Sequence, residues 1–295
     1  MIKIVFLYSL IVSFFIVTSL AYGEETSFQQ VTFISSASTT IATSTFSDLL
    51  GMATTSIKGS SADRKTNITL GVKRINNKII LPGEEFSLIA SLRPFSKEAG
   101  FKEEHVIGSS SSPMELGGGL CQISTTLFRS VLQAGLLVTK RQSHSYVVGY
   151  YGAGLDATVY FPKTDFRFIN NYKQPIRIKT ELKGNVLQIS FYGVKDMRVA
   201  SVGTIVTIKE YPKPKPKTFY TSDITFVPIG NKKCTEKARK GMYTKVSYDV
   251  IDTAGISTST TFYSYYRPWS EVCYIGVTEE EKQQKELEQN VITLR

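Results

Sequence analysis

Cys121, His144 and Asp156 place a nucleophile, a base and an orienting carboxylate within 36 consecutive positions. A thiol attacks a carbonyl as its thiolate, the imidazole that takes its proton must hold one tautomer, and a carboxylate fixes that tautomer. Gly117-Gly118-Gly119 precedes the cysteine, and an apolar periodicity starts there. The spacing predicts a helix opening at Cys121, whose free amides and dipole favour a thiolate and can hold an oxyanion. Gln122 offers a side-chain amide donor to the same oxyanion. Gly117, Gly118, Gly119 and Ser124 are assigned to the substrate side, because glycine lets a second backbone come close. The blander readings stay open: a plain glycine loop, and a small thiol packed at a helix entry.

His144 lies in the strand-like run Arg141-Gln142-Ser143-His144-Ser145-Tyr146-Val147-Val148, followed by the glycine-rich Gly149 to Gly154 and a second strand from Asp156. If the hairpin turns about residue 150, positions summing to 300 face each other. His144 and Asp156 are then cross-strand neighbours about 5 Å apart. A one-residue slip pairs His144 with Ala157 or Leu155 instead. A structural histidine bonded to an aspartate is the competing reading. His105, among Lys102, Glu103 and Glu104, is the weaker base candidate. No paired ligand spacing points to a metal, and Leu120 stands where a phosphate-binding glycine loop needs Lys-Ser/Thr, so no cofactor is expected.

The elements that must position these groups read as an α+β fold, one buried helix opening at a cysteine and packed on an antiparallel sheet, then a small mostly-β domain. Ile123, Leu127 and Val131 repeat at helical spacing from Cys121 to Ala134, and Gly135 ends the run. Strands are expected at Ile79 to Leu81, Val147-Val148, Ala157 to Phe161, Pro175 to Thr180 and Val186 to Tyr192. The Pro212 to Lys217 alternation reads as a linker or exposed loop, beyond which Tyr243 to Val250 and Thr258 to Tyr265 alternate as strands. Glu279 to Asn290, with Glu281 and Lys285 four apart, is a solvated helix or a disordered tail.

The chain has 295 residues and a formal charge of +10, so anionic partners are favoured. Met1 to Gly23 has a basic start, an apolar run from Ile4 to Ala21 and small closing residues. That is a secretory signal peptide or an uncut membrane anchor, and either exports the rest. Residues 24–45 form a Ser/Thr-rich spacer, 46–194 the first domain, 200–277 the β-rich module and 278–295 a charged tail. In an exported chain Cys234 and Cys273 are expected to pair, leaving Cys121 free. Three cysteines are too few for a zinc scaffold.

Leu81-Pro82-Gly83-Glu84-Glu85-Phe86-Ser87, Gly117 to Leu127, His144-Ser145 and Gly154-Leu155-Asp156-Ala157-Thr158-Val159 together resemble the VanW-like family over residues 46–193. Asp165 to Asn170 and Phe191-Tyr192-Gly193 match as well. The resemblance implies a bacterial cell-envelope setting. The order Cys, His, Asp is also similar to that of transglutaminase-like and papain-like thiol enzymes, a likeness of arrangement. Residues 200–277 resemble the G-five module, from which the Cys234 and Cys273 pair departs. Two functions remain: a thiol hydrolase or acyltransferase acting on wall peptide or protein amides, and a non-catalytic protein binding wall glycan or peptide. In both, the basic body meets anionic polymer or membrane surface. Nucleic acid is not an expected partner, because export removes it.

Overall fold

A computed structural model describes residues 46–105, 114–149 and 151–293, all within one unit, Ile41–Arg295. The export segment and the spacer lie outside the described residues. Among those described, no helix is long and apolar enough to cross a membrane.

The architecture is α+β, with mostly antiparallel sheets and few helices. Four strands pair antiparallel in the order 48–56, 186–193, 176–183, 79–80. In strand Asp48–Ser56, Gly51, Ala53 and Thr55 are buried while Met52, Thr54 and Ser56 are exposed, the alternation of a half-buried strand. Gly51 is required there, because a Cβ would fall 2.5 Å from Ala134 N and 2.7 Å from Ser130 O of the overlying helix.

That helix, labelled α3, spans Leu120–Gln133. It follows α1 (Ala62–Ile75) and the four-residue α2 (Leu88–Ser91). Leu127, Phe128 and Val131 of α3 have no exposed surface and join Ile178, Ile189 and Phe191 of the sheet in the core. Burying each such side chain contributes about 1.5–3 kcal/mol. Helix α3 ends where Gly135 adopts φ 65°, with Leu136 N donating to Val131 O and Gly135 N to Leu132 O. This left-handed cap satisfies two of the last carbonyls.

The expectation of a single helix in this domain is corrected by α1. Ser61 caps it by accepting from Arg64 N, Asp63 sits in the first turn, and Lys73 and Arg74 in the last. Its buried face of Ile68, Val72 and Ile75 is narrow, and Gly71 lets Ile123 of α3 come close.

The expected strands at Val147-Val148 and Ala157 to Phe161 are also corrected. Only isolated bridges form, Val148 with Gly152 and Tyr160 with Thr164. The register is nonetheless the mirrored one, since Thr158 N donates to Gln142 O at 2.8 Å and Val148 faces Gly152. A regular ladder would continue with His144 N donating to the Asp156 carbonyl. Instead His144 N donates to Asp156 Oδ2 at 2.7 Å, and the Asp156 carbonyl accepts from Arg141 Nε at 2.7 Å. Side chains have replaced the ladder where the chemistry-bearing residues sit.

Beyond residue 198, strand Gly241–Ile251 pairs on one edge with 199–202 and 206–211 and on the other with 257–266. A second small sheet has the order 217–221, 272–276, 232–236. There Cys234 and Cys273 are register partners joined by a disulfide. The Pro212 to Pro216 stretch joins two strands of this module. The closing helix α4 spans Glu279–Thr293, and Thr278 and Glu281 cap its start reciprocally. Its Lys285 pairs with Glu288 at 3.2 Å rather than with Glu281.

Candidate functional site

Cys121 is the second residue of α3, half-buried and the free cysteine among the described residues. Two positive-φ glycines turn the chain into the helix, Gly117 at 82° and Gly119 at 113°. Asn67 of α1 clamps the turn: its Nδ2 donates to Lys102 O and Gly118 O, both at 3.0 Å, and its Oδ1 accepts from Lys102 N at 2.7 Å. Gly119 offers no side-chain cap, and the turn's own carbonyls take two of the first amides, Leu120 N donating to Gly117 O at 3.1 Å and Gln122 N to Gly119 O at 3.0 Å.

Side chains of the protein itself occupy the space beside the glycines. A Cβ on Gly117 would lie 2.7 Å from the Phe95 ring, on Gly118 2.6 Å from Glu104 Cβ, and on Gly119 2.9 Å from Ile68 Cγ1. Gly117, Gly118 and Gly119 are buried and pack closely against these side chains at the helix entry. Ser124 has no exposed surface and no hydrogen-bond partner for its hydroxyl. Gln122 turns toward strand 48–56, its Nε2 donating to Ser56 O at 2.9 Å and its Oε1 accepting from Arg64 at 3.0 Å. These bonds tie α3 to α1 and the sheet and give no support to an oxyanion role.

His144 and Asp156 meet directly. His144 Nδ1 lies 2.5 Å from Asp156 Oδ2, and the same oxygen accepts the His144 backbone amide. Asp156 is fully buried. Nδ1 being taken by the carboxylate, Nε2 is the ring nitrogen left for the thiol. A hydrogen bond between the Cys121 and His144 side chains completes the row of thiol, imidazole and carboxylate. The sulfur also lies 3.2 Å from Thr158 Oγ1 and 3.3 Å from the Val159 carbonyl.

Burial pushes the thiol up, but its hydrogen bond to His144 and the imidazolium charge outweigh that and bring Cys121 down to about 7. Burial pulls His144 down, but its bonds to Asp156 and Cys121 win and raise it to about 9. Asp156 is held below the usual carboxylate range: burial opposes, while His144 and the Arg141 charge prevail. Between those two values the thiolate–imidazolium form is populated.

Sequence reasoning missed the groups around this row. Arg141, buried, places Nη2 3.2 Å from Asp156 Oδ1. Tyr266, on strand 257–266, donates its hydroxyl to that same Oδ1. Thr125, one turn after Cys121, donates to the Ala157 carbonyl at 3.0 Å and accepts from Ala157 N at 3.1 Å. It thereby fastens the Asp156 segment to the face of α3 that carries the thiol. Its position at i+4 from Cys121 was the available signal. The side chain of His105 lies outside the described residues. Among those described, the group close enough for an ion is Cys234, Glu271 and Cys273, whose sulfurs are spent in the disulfide.

Residues 63–192 match the family described as VanW like protein. Over 143 residues the chain is 38% identical to the protein YoaR of Bacillus subtilis, covering 48% of this chain and 47% of that one. Over 78 residues it is 32% identical to the vancomycin B-type resistance protein VanW of Enterococcus faecalis, covering 26% of this chain and 28% of that one. The match thus spans about half of one relative's length and less of the other's. Among solved structures, a crystal structure of HP0197-G5 covers 28% of this chain and all of its own, at 13% identity and a TM-score of 0.14, too low to argue a fold from.

Proposed function

From the VanW-like domain that this chain carries at residues 63–192, we propose an exported envelope protein that processes amides of cell-wall peptide or protein through a cysteine nucleophile. The observation that carries the reading is the buried Asp156 bonded to His144 Nδ1, with His144 bonded in turn to Cys121. A structural histidine has no need of a thiol on its second nitrogen. In this reading the Cys121 thiolate adds to the amide carbonyl, and the Cys121 backbone N–H at the start of α3 faces the developing oxyanion. His144 then gives the proton it took to the departing amine. A thioester on Cys121 remains, with the amine released. Water completes a hydrolase, and a second amine completes an acyltransferase.

The envelope setting draws support from the Cys234–Cys273 disulfide, since such bonds persist in oxidising compartments. The reading keeps residues 1–23 as signal or anchor. The β-rich module exposes Lys213, Lys215, Lys217, Lys232 and Lys233, a basic surface suited to anionic wall polymer or membrane surface. The test is release of primary amines from wall stem peptides by the full chain and by Cys121→Ala. Release by the first alone is expected, and equal release by both overturns the reading.

A further inference from the structure

The carboxylate at the end of the row is not held by the VanW-like segment alone. Asp156 receives four donors. Oδ2 takes the His144 amide and sits on Nδ1, and Oδ1 takes Arg141 Nη2 and the Tyr266 hydroxyl. Three of these come from within 15 positions of Asp156, while Tyr266 stands 110 positions away, on the β-rich module. It is fully buried, and its oxygen also accepts Gly154 N at 2.6 Å, so one hydroxyl fixes both the loop and the carboxylate. The contact belongs to a wider seam. Arg141 Nη1 donates to Tyr263 O at 2.8 Å, Arg267 N to Ser145 O at 2.7 Å and Arg239 Nη1 to Val147 O at 3.2 Å. Phe262 meets Phe128 of α3 edge-on at 5.2 Å, and Trp269 meets Tyr146 at 4.4 Å. The module is bonded on both sides of His144.

We infer that the site spans both parts of the chain, with Tyr266 the positioning residue through which the β-rich module holds Asp156 ionised and aimed at His144. This deepens the thiol-enzyme reading and rests on it for its catalytic meaning, but the bond itself is testable apart from catalysis. The charged groups facing Asp156 are His144 and Arg141, with Tyr266 the neutral donor. Phenol has no acceptor role left to play toward a carboxylate, so it stays protonated while Asp156 is charged. Burial and the neighbouring Asp156 charge push it up to about 12, which preserves the donor throughout the working range.

The experiment is a pH titration of the Asp156 carboxyl carbon by NMR in the full chain, assigned by its loss in Asp156→Asn. Tyr266→Phe removes only the hydroxyl and keeps the buried ring. Losing a donor to the charged form raises the carboxyl midpoint, by about one pH unit for a charge-assisted bond. Should Tyr266→Phe fail to fold, 3-fluorotyrosine in the intact chain strengthens the donor and must lower the same midpoint. A midpoint that stays put under whichever change is made overturns the inference. Comparing thiol reactivity with His144→Ala tests the nucleophile reading separately, so the two can fail independently.

Discussion

Replacing His144 with Ala removes the two largest influences that lower the Cys121 thiol, the imidazole's hydrogen bond and its charge, and leaves only the smaller Thr158 and Val159 hydrogen bonds against the burial that raises it. The midpoint of about 7 should climb to the unperturbed 9.0 or above. Two units correspond to about 3 kcal/mol of differential stabilisation of the thiolate. At pH 7 the thiolate fraction then falls from about one half to about one hundredth, and the alkylation rate falls about 50-fold. The assay is the second-order rate of iodoacetamide reaction at Cys121, followed by mass spectrometry from pH 5 to 10 in wild type and variant, with Cys234 and Cys273 left in their disulfide. A wild-type midpoint at the unperturbed 9.0 that does not move in His144→Ala would refute the ion-pair reasoning and leave Cys121 as a packed core thiol.

Three further outcomes are expected. Asp156→Asn should return His144 from about 9 toward 6.5 and cost about 3 kcal/mol, because Arg141 is left buried without its charge partner. The sign follows from linkage: a raised histidine stabilises the fold fully below pH 6.5 and loses that contribution as pH climbs through about 9, so the variant's stability should be flatter across that window in urea melts. Thr125→Val keeps shape but orphans the Ala157 amide and carbonyl, which should cost about 2–4 kcal/mol by the same melts and slow alkylation of Cys121. Replacing Cys234 and Cys273 with Ser should cost about 4 kcal/mol from a loop separation of 39 residues, while the Cys121 midpoint stays where it was.

Helix α3 is legible because Ile123, Leu127 and Val131 repeat at helical spacing and Gly135 can take the left-handed cap. Helix α1 is much less so, since Arg64, Lys65, Lys73 and Arg74 surround a narrow apolar face and packing against α3 supplies what propensity does not. The mirrored positions about residue 150 bring His144 to Asp156, yet the strands expected there do not form. Alternation in sequence says which residues face each other, not whether a carboxylate will take the amide meant for a carbonyl. The glycine run is ambiguous for a related reason. A missing Cβ signals close approach without saying whose atoms approach, and here they belong to Phe95, Glu104 and Ile68. Arg141 and Tyr266 carry no local signal, because their meaning arises only when the β-rich module closes on the site.

If Cys121 is the nucleophile it forms a covalent acyl intermediate, which acid-quench mass spectrometry of the full chain incubated with wall stem peptides detects. A peptide-derived thioester on Cys121 is expected, one that vanishes on neutral hydroxylamine treatment and fails to accumulate in His144→Ala. Amine release that proceeds with Cys121 unmodified at every quench time, or blocked thiol with release undiminished, would contradict it.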